Sequence, residues 1–158
     1  MLYKKLPGKE QALQKLKHYC GYQERCHSEV KEKLYDLGVK KIDRDEIIST
    51  LIEENYLNEG RFAIQFAGGK FRIKQWGKIK IKYELKQKQV SSYSINKALQ
   101  SIDEEMYRKT LKKLATQKLK TLKTENNTFI KNKKLYIFLL QKGFEQHLIA
   151  ETISLVME

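Results

Sequence analysis

Three segments of the chain carry large apolar residues at one shared spacing of four and then five positions. The triplets are Val30, Leu34 and Val39; Ile81, Leu85 and Val90; and Leu135, Leu139 and Phe144. Their first members lie 51 and then 54 residues apart. A four-residue step keeps side chains on one helix face, whereas a step to five indicates a helix end. The sequence therefore predicts one helical module repeated about three times, with neighbouring modules burying each other's apolar faces.

A further apolar pair follows each triplet at helical spacing and predicts one more helix per module. The pairs are Ile47 with Leu51, Ile95 with Leu99, and Ile149 with Ile153. Lys, Gln, Glu and Leu dominate the chain, and the only proline is Pro7. We therefore predict an all-α fold of nine helices, arranged as three tandem three-helix repeats in an elongated, curved array. The predicted repeats span residues 1–58, 59–102 and 103–158.

Glycines and capping residues indicate where several of these helices begin and end. Gly21, Gly38 and Gly143 each follow an apolar helical stripe, and we expect Gly38 to be left-handed, as is common just beyond a helix C-terminus. Asp43 is a candidate N-cap for the third helix. Only Phe71–Lys74 has a pattern that is ambiguous between helix and strand.

The charge of the chain is concentrated in its middle. The chain has 32 basic and 19 acidic residues and a net charge of +13. Residues 1–60 are neutral, residues 61–143 carry a net charge of +16, and the remainder carries −3. This distribution favours an anionic partner, namely nucleic acid, a nucleoprotein or an acidic membrane. A solvated lysine face with aromatic rings packed between modules is the alternative for any single residue.

The most basic segment interleaves cations with aromatic rings. Between Gly68 and Lys88, eight Lys and Arg residues alternate with Phe71, Trp76 and Tyr83. A helical wheel places Ile81 and Leu85 toward the core. Lysines neutralise phosphates and aromatic rings stack on unpaired bases. For the segment as a whole, the charge asymmetry favours an anionic partner.

Other motifs that would assign chemistry are incomplete. Gly68-Gly69-Lys70 lacks the rest of a phosphate-binding loop, and the acidic run Asp103–Glu105 is explained by the start of a long helix. The predicted third helices carry few groups that read base edges, so sequence-specific DNA binding is not expected. No constellation of nucleophile, base and orienting group is evident. We expect no enzyme activity, no catalytic residue and no cofactor.

Cysteine usage and hydropathy bear on metal binding and location. Cys20 and Cys26 could form a zinc site with His18 and His27, but the four crowd one helix junction, whereas structural zinc sites use two separated ligand pairs. We expect small buried side chains there and no metal.

No apolar run approaches the ~18–20 residues that span a bilayer. The N-terminal sequence MLYKKLPGKE lacks the apolar core of a secretion signal. We expect a cytoplasmic monomer without a membrane partner.

These motifs together resemble the RecX family of regulatory proteins over residues 10–156. The most similar stretch is Asn58-Glu59-Gly60-Arg61-Phe62-Ala63, followed by the basic run from Gly77 to Lys88, and Glu24–Val30 with Leu37-Gly38 adds to it. Asn58-Glu59 stands where the family commonly has two aspartates, and Gln89 replaces the usual glycine. The insertion Lys-Lys-Ile-Asp lengthens the second turn of the first repeat, and the last repeat matches mainly by pattern.

The resemblance implies binding to the RecA recombinase filament on single-stranded DNA. Family members are thought to lie in the filament groove and to block or destabilise it, which restrains strand exchange, ATP hydrolysis and the co-protease role in the SOS response of DNA repair. The competing prediction is a stand-alone helical nucleic-acid-binding protein that binds single strands or bends DNA. The candidate contact residues are Arg61, Lys70, Arg72, Lys74, Lys78, Lys80, Lys82, Tyr83, Lys86, Arg108 and Lys112.

Overall fold

Residues 6–158 are described by a computed structural model, and within them the chain forms nine α-helices, one π-helical turn and no β-strand. The π-helical turn is Lys70–Lys74. The α-helices are α1 Lys9–Tyr22, α2 His27–Asp36, α3 Lys41–Glu53, α4 Glu59–Gly69, α5 Lys78–Gln87, α6 Ser92–Gln100, α7 Glu104–Thr121, α8 Thr128–Gln141 and α9 Gln146–Val156. The predicted all-α fold with nine helices is confirmed.

The step from four to five residues in each triplet corresponds to the same helix ending, a Schellman motif. In each case the residue before the last apolar position is left-handed: φ is +74° at Gly38, +63° at Gln89 and +97° at Gly143. The next amide donates to the carbonyl five residues back, from Val39 to Leu34, for example, at 3.2 Å. This geometry satisfies two orphan carbonyls and turns the last apolar side chain back onto the helix that it follows.

The repeated triplets form the buried centres of the helices that carry them. All nine of their side chains are at most 7% exposed. The following pairs are less uniform, because Ile47, Leu51, Ile95 and Ile149 are buried while their counterparts Leu99 and Ile153 are half-buried. The register read from the sequence is therefore correct, and it identifies the inward face of each middle helix.

The chain forms two compact units. The first comprises Met1–Gln65 and Leu85–Ile95, and in it α1, α2 and α3 pack against one another. The Ser28 hydroxyl donates to the Lys88 carbonyl at 2.8 Å, and the Lys88 amino group lies 3.9 Å from the Glu29 carboxylate. Side chains of the first helices thus hold the end of α5 in this unit.

The second unit comprises Phe66–Glu84 and Asn96–Glu158. Its helices α7, α8 and α9 pack against one another. The fully buried ring of Tyr107 lies between Phe71 and Phe144, with ring centroids 5.7 and 5.2 Å apart. This aromatic stack joins the π-helical turn to the helices of the last repeat.

Two predicted helix boundaries are wrong, and the ambiguous segment is resolved. Gly21 lies inside α1, which continues to Tyr22, because Gly21 does not adopt the left-handed conformation that ends α2 and α8. Asp43 is in the first turn of α3, and the N-cap is Lys40. Phe71–Lys74 belongs to the π-helical turn. Residues 1–5, part of the stretch used to argue against a secretion signal, lie outside the described residues.

Candidate anion-binding surface

The second unit brings three aromatic and basic elements of the central segment together around Trp76. The Lys70 amino group lies 5.1 Å from the Trp76 ring centroid and 5.4 Å from that of Phe66. The Lys80 amino group lies 4.7 Å from the Trp76 ring. We call these four residues the Trp76 cluster. Cations at such distances are attracted to the ring quadrupole, so two positive charges help to hold the half-exposed indole in place.

The π-helical turn determines where Trp76 lies. Because this turn is wider than an α-helix, the Trp76 amide donates to the Lys70 carbonyl six residues back, at 3.3 Å. Gln75, with a left-handed φ of +57°, ends the turn. The turn also leaves Ile73 80% exposed. π-Helical turns are rare and are frequently found at functional sites.

A close contact between two glycines fixes the first turn of α5, which carries Lys78 and Lys80. The Gly77 amide donates to the Lys142 carbonyl at 2.8 Å, and the Ile79 amide donates to the Gly143 carbonyl at 2.9 Å. A Cβ atom on Gly77 would lie 2.3 Å from the carbonyl carbon of Gly143. The N-terminus of α5 thus packs against the turn between α8 and α9, and we call such a turn after a helix a corner. This packing requires glycine at positions 77 and 143.

The same packing brings another lysine close to the central segment. The Lys142 amino group donates to the Lys74 carbonyl at 3.3 Å. Lys142 was not predicted to bind a partner, because the packing of residue 142 against residue 74 leaves no signal in the spacing of the sequence. The sequence pattern includes Trp76 among the interleaved rings but does not distinguish it as a binding residue. Trp76 lies directly before Gly77 and Lys78, where the basic helix α5 begins, and this position is the sequence signal that could have identified it.

Lys78 has a structural environment that distinguishes it from the other predicted cations. Its amide donates to the Tyr107 hydroxyl at 2.9 Å, and that hydroxyl donates in turn to Glu145. Its amino group lies 4.7 Å from the Tyr107 ring and 3.2 Å from the Glu104 carboxylate. The hydrogen bond from Lys78 holds the pKa of Glu104 below its usual value. Burial, followed by the hydrogen bond to Glu145, raises the pKa of Tyr107.

Arg61 lies in the first unit, where its donors are used inside the protein. Its Nε atom pairs with Glu24, and its Nη atoms donate to the side chain of Asn55 at 3.1 Å and to the Asn55 carbonyl at 3.0 Å. Asn55 is left-handed, with φ +63°, at the end of α3. Arg61 therefore stabilises the turn between α3 and α4, a role that its place in a basic sequence did not reveal.

The remaining predicted residues differ in how available they are. Arg108 forms ion pairs with Glu104 at 3.2 Å and with Glu151 at 3.3 Å. Six others are exposed: Arg72, Lys74, Lys82, Tyr83, Lys86 and Lys112. Five of these six belong to the second unit, and Lys86 belongs to the first. The second unit thus combines the Trp76 cluster with five exposed residues of the predicted set.

The positions considered for zinc hold buried thiols. Cys20 and Cys26 are both free and buried, and burial raises the pKa of Cys20 to about 11. Metal binding requires the thiolate, which this environment disfavours. Within residues 6–158, no group of three or more His, Cys, Asp and Glu side chains is placed to hold a metal ion. Over the same residues, no helix has both the length and the apolar character needed to cross a bilayer.

Comparison with known proteins relates this chain to one protein family. The family model described as RecX, second three-helix domain, matches residues 58–99. A regulatory protein RecX of Clostridium botulinum is 37% identical over 134 residues, covering 82% of this chain and 61% of that protein. One of Chlorobium phaeobacteroides is 31% identical over 134 residues, covering 85% of each. The chain spans only 61–62% of the length of two clostridial relatives.

A solved structure agrees with the fold. The crystal structure of RecX from Lactobacillus salivarius matches with a TM-score of 0.85 at 24% identity, covering 94% of this chain and 96% of that one. The helices and the basic surface define an all-α protein of three-helix repeats. This chain belongs to the RecX family of regulatory proteins, and its relatives are named as regulators.

Proposed function

We propose that this protein regulates the RecA recombinase by binding its filament on single-stranded DNA and inhibiting or destabilising that filament. It acts without catalysis or a cofactor, and it limits strand exchange, ATP hydrolysis and the co-protease activity of the SOS response. The observation that carries the proposal is the Trp76 cluster, in which Lys70 and Lys80 hold an indole in a strongly basic unit. Membership of the RecX family supports the choice of RecA as the partner.

The physical basis is the match between this surface and a nucleoprotein groove. A filament presents phosphates and protein carboxylates at regular intervals, which attract a surface of high positive charge. The exposed residues Arg72, Lys74, Lys82 and Lys112 form no ion pair with any residue that the structure describes, whereas Arg61 and Lys78 are engaged in ion pairs. We therefore assign direct contact to the first group and support of the surface to Lys78, whereas Arg61 stabilises the turn between α3 and α4.

Inhibition of RecA-dependent strand exchange tests this function. We expect inhibition at fewer than one copy per RecA subunit, because one bound protein obstructs several neighbouring subunits. A variant with Lys74→Glu and Lys82→Glu should lose most of this inhibition. The matched control is Lys31→Glu with Lys41→Glu, two exposed lysines of the first unit. Unchanged strand exchange and ATPase at equal amounts of protein and RecA would contradict the proposal.

The alternative is a stand-alone nucleic-acid-binding protein, and the Trp76 cluster favours it as well, since a half-exposed indole with cations nearby suits an unpaired base and its phosphate. Trp76 is the only tryptophan, so its fluorescence reports directly on this cluster. On the RecA proposal, affinity at physiological salt should be higher for the ATP-bound filament than for bare single strands. Equal affinity for both would favour the alternative. A variant that removes one lysine–phosphate pair should lower the slope of log K against log salt by roughly 0.7–0.9.

A further inference from the structure

The first unit contains a groove between α1 and α2 that the proposed function does not use. Its volume is about 570 Å³, and the residues that matter for recognition are Lys15, His18, Tyr19, Tyr22, Arg25 and Lys33. Pockets for small ligands are typically ~300–1,000 Å³. None of the described residues that line it is acidic, although residues 1–60 as a whole are neutral. The groove is therefore lined by positive charge within a segment of the sequence, residues 1–60, that is neutral overall.

Arg25 and Tyr19 form a fixed planar wall of the groove. The Arg25 guanidinium carbon lies 3.8 Å from the Tyr19 ring centroid, and its Nε atom donates to the Tyr19 carbonyl at 3.0 Å. Among the described residues, neither Nη atom of Arg25 has a hydrogen-bond partner. The guanidinium is thus oriented by the protein while two nitrogens remain able to donate to a ligand, the arrangement in which Arg recognises phosphate.

The remaining lining residues provide a second aromatic surface and further charge. Tyr22 is 79% exposed at the rim of the groove. The Lys33 amino group lies 5.6 Å from the Tyr19 ring, and neither Lys33 nor Lys15 forms an ion pair with any described residue. Rings and guanidinium planes stack on nucleobases, and unpaired amino groups neutralise phosphates.

We propose that the groove between α1 and α2 is a nucleotide-binding site, in which Arg25, Lys15 and Lys33 hold phosphate and the rings of Tyr19 and Tyr22 contact the base. The nucleotide comes either from free nucleoside triphosphate or from a segment of single strand. An acidic peptide would use the cations but not the two rings, so the composition of the groove favours a nucleotide. This site is independent of the Trp76 cluster, which belongs to the other unit.

An NMR titration of the intact chain tests the proposal, with ATP, a short oligodeoxynucleotide and a polyglutamate peptide as separate probes. We expect ATP or the oligonucleotide to shift the resonances of Tyr19, Tyr22 and the Arg25 side chain. A response to both probes indicates that free nucleotide suffices, and a response to the oligonucleotide alone identifies a strand as the source. Either result supports the site. Absence of shifts at these residues with both nucleotide probes, or equal or tighter binding of polyglutamate, overturns it.

A matched pair of double variants separates the groove from general charge. Lys15→Glu with Tyr22→Ala should weaken nucleotide binding at the groove by about tenfold or more, since base stacking alone is commonly worth that factor. The control, Lys31→Glu with Tyr35→Ala, reverses one charge and removes one ring that is 72% exposed in the same unit. It should change the affinity by less than about twofold, within the range of screened surface charges. Equal losses in both variants overturn the proposal.

Discussion

The corner between α2 and α3 and the corner between α8 and α9 share one backbone conformation but differ in what touches it. Gly38 and Gly143 are both left-handed, with φ of +74° and +97°. The three nearest described atoms to a Cβ atom on Gly38 would all belong to the Leu6 side chain, with Cδ2 2.8 Å away. A Cβ atom on Gly143 would lie 2.2 Å from the Lys80 Cβ atom and 2.8 Å from the Lys80 amide nitrogen.

This difference in surroundings shows that two repeats with the same backbone conformation at a helix end use that position for different contacts. At Gly38 the glycine satisfies a backbone angle, and the nearest described atoms belong to an exposed side chain, Leu6. At Gly143 it also allows the first turn of α5 to approach, and that turn carries Lys80, whose amino group faces Trp76. The corner in the second unit therefore supports the candidate surface, whereas its counterpart in the first unit only reverses the chain.

The largest expected effect distinguishes these two corners. Gly143→Ala should lower the free energy of unfolding by about 3–5 kcal/mol, because left-handed strain of ~1–2 kcal/mol adds to forced movement of packed backbone. Gly38→Ala should cost only about 1–2 kcal/mol, since an exposed Leu6 side chain can move. Urea unfolding followed by Trp76 fluorescence and by circular dichroism measures both. Equal costs at the two corners would show that the close approach of Lys80 to Gly143 adds no penalty to the left-handed strain.

A second pair of substitutions tests whether the two units are equivalent in core packing, although their corners differ. Leu34 and Leu139 occupy the same repeat position, and both are fully buried. Each Leu→Ala change should lower the free energy of unfolding by ~2–5 kcal/mol through reduced burial and the cavity left behind. The two values should agree to within about 1 kcal/mol. A cost well below this range at either position would mean that one core relaxes to fill the space, and the repeats would then differ in core packing as well as at their corners.

The core of the second unit includes a side chain with a polar group, the hydroxyl of Tyr107, which forms two hydrogen bonds. Tyr107→Phe should cost about 1–3 kcal/mol, because the Lys78 amide and the Glu145 carboxylate both lose their partner. Tyr35→Phe, at an exposed ring, should stay within about 0.5 kcal/mol. Thermal or urea unfolding of the two variants provides the measurement. If Tyr107→Phe has no cost, the hydroxyl does not hold the α5 N-terminus in place.

The raised pKa of Tyr107 predicts the direction of an alkaline effect. Its proton is held more tightly in the folded than in the unfolded protein, so its contribution to stability is complete below the unfolded pKa of ~10. As pH rises above that value, the unfolded state loses this proton first, and stability falls. Tyr107→Phe should therefore show a shallower loss of stability above pH ~10 than the wild-type protein. An unchanged slope would contradict a folded pKa above the ordinary value.

Sequence reasoning predicted the helices and their inward faces because apolar spacing records both. It also placed Gly38 and Gly143 at helix ends, since each follows a stripe of apolar residues. The candidate surface was less predictable. Lys142 and Gly77 are brought together only by tertiary packing, and Arg61 pairs with Glu24, 37 residues earlier in the chain, a contact that the charge pattern does not specify. The order of residues in the sequence therefore identified the cations, but it did not show which of them form ion pairs or hydrogen bonds within the protein.

The smallest expected effect concerns the middle corner, where Gln89 occupies the position of the two glycines. Gln89 is exposed and has φ +63°, and its amide donates to the Lys86 carbonyl at 2.9 Å. Gln89→Gly removes the left-handed strain of a side chain, ~1–2 kcal/mol, while the added freedom of the unfolded chain offsets about 0.4–1 kcal/mol. We therefore expect a net stabilisation of about 0.5–1 kcal/mol, measured as a higher urea midpoint at unchanged slope.

Gln87→Gly is the matched control, because residue 87 is the last helical position of α5 and its φ is not positive. That change should destabilise the protein by up to ~1 kcal/mol, the usual cost of glycine in a helix. Opposite signs for two glycine substitutions two residues apart would show that the left-handed corner, and not glycine in general, limits stability in this repeat. If both variants are destabilised, the middle corner tolerates its side chain without strain, and the three corners are alike in shape but not in energy.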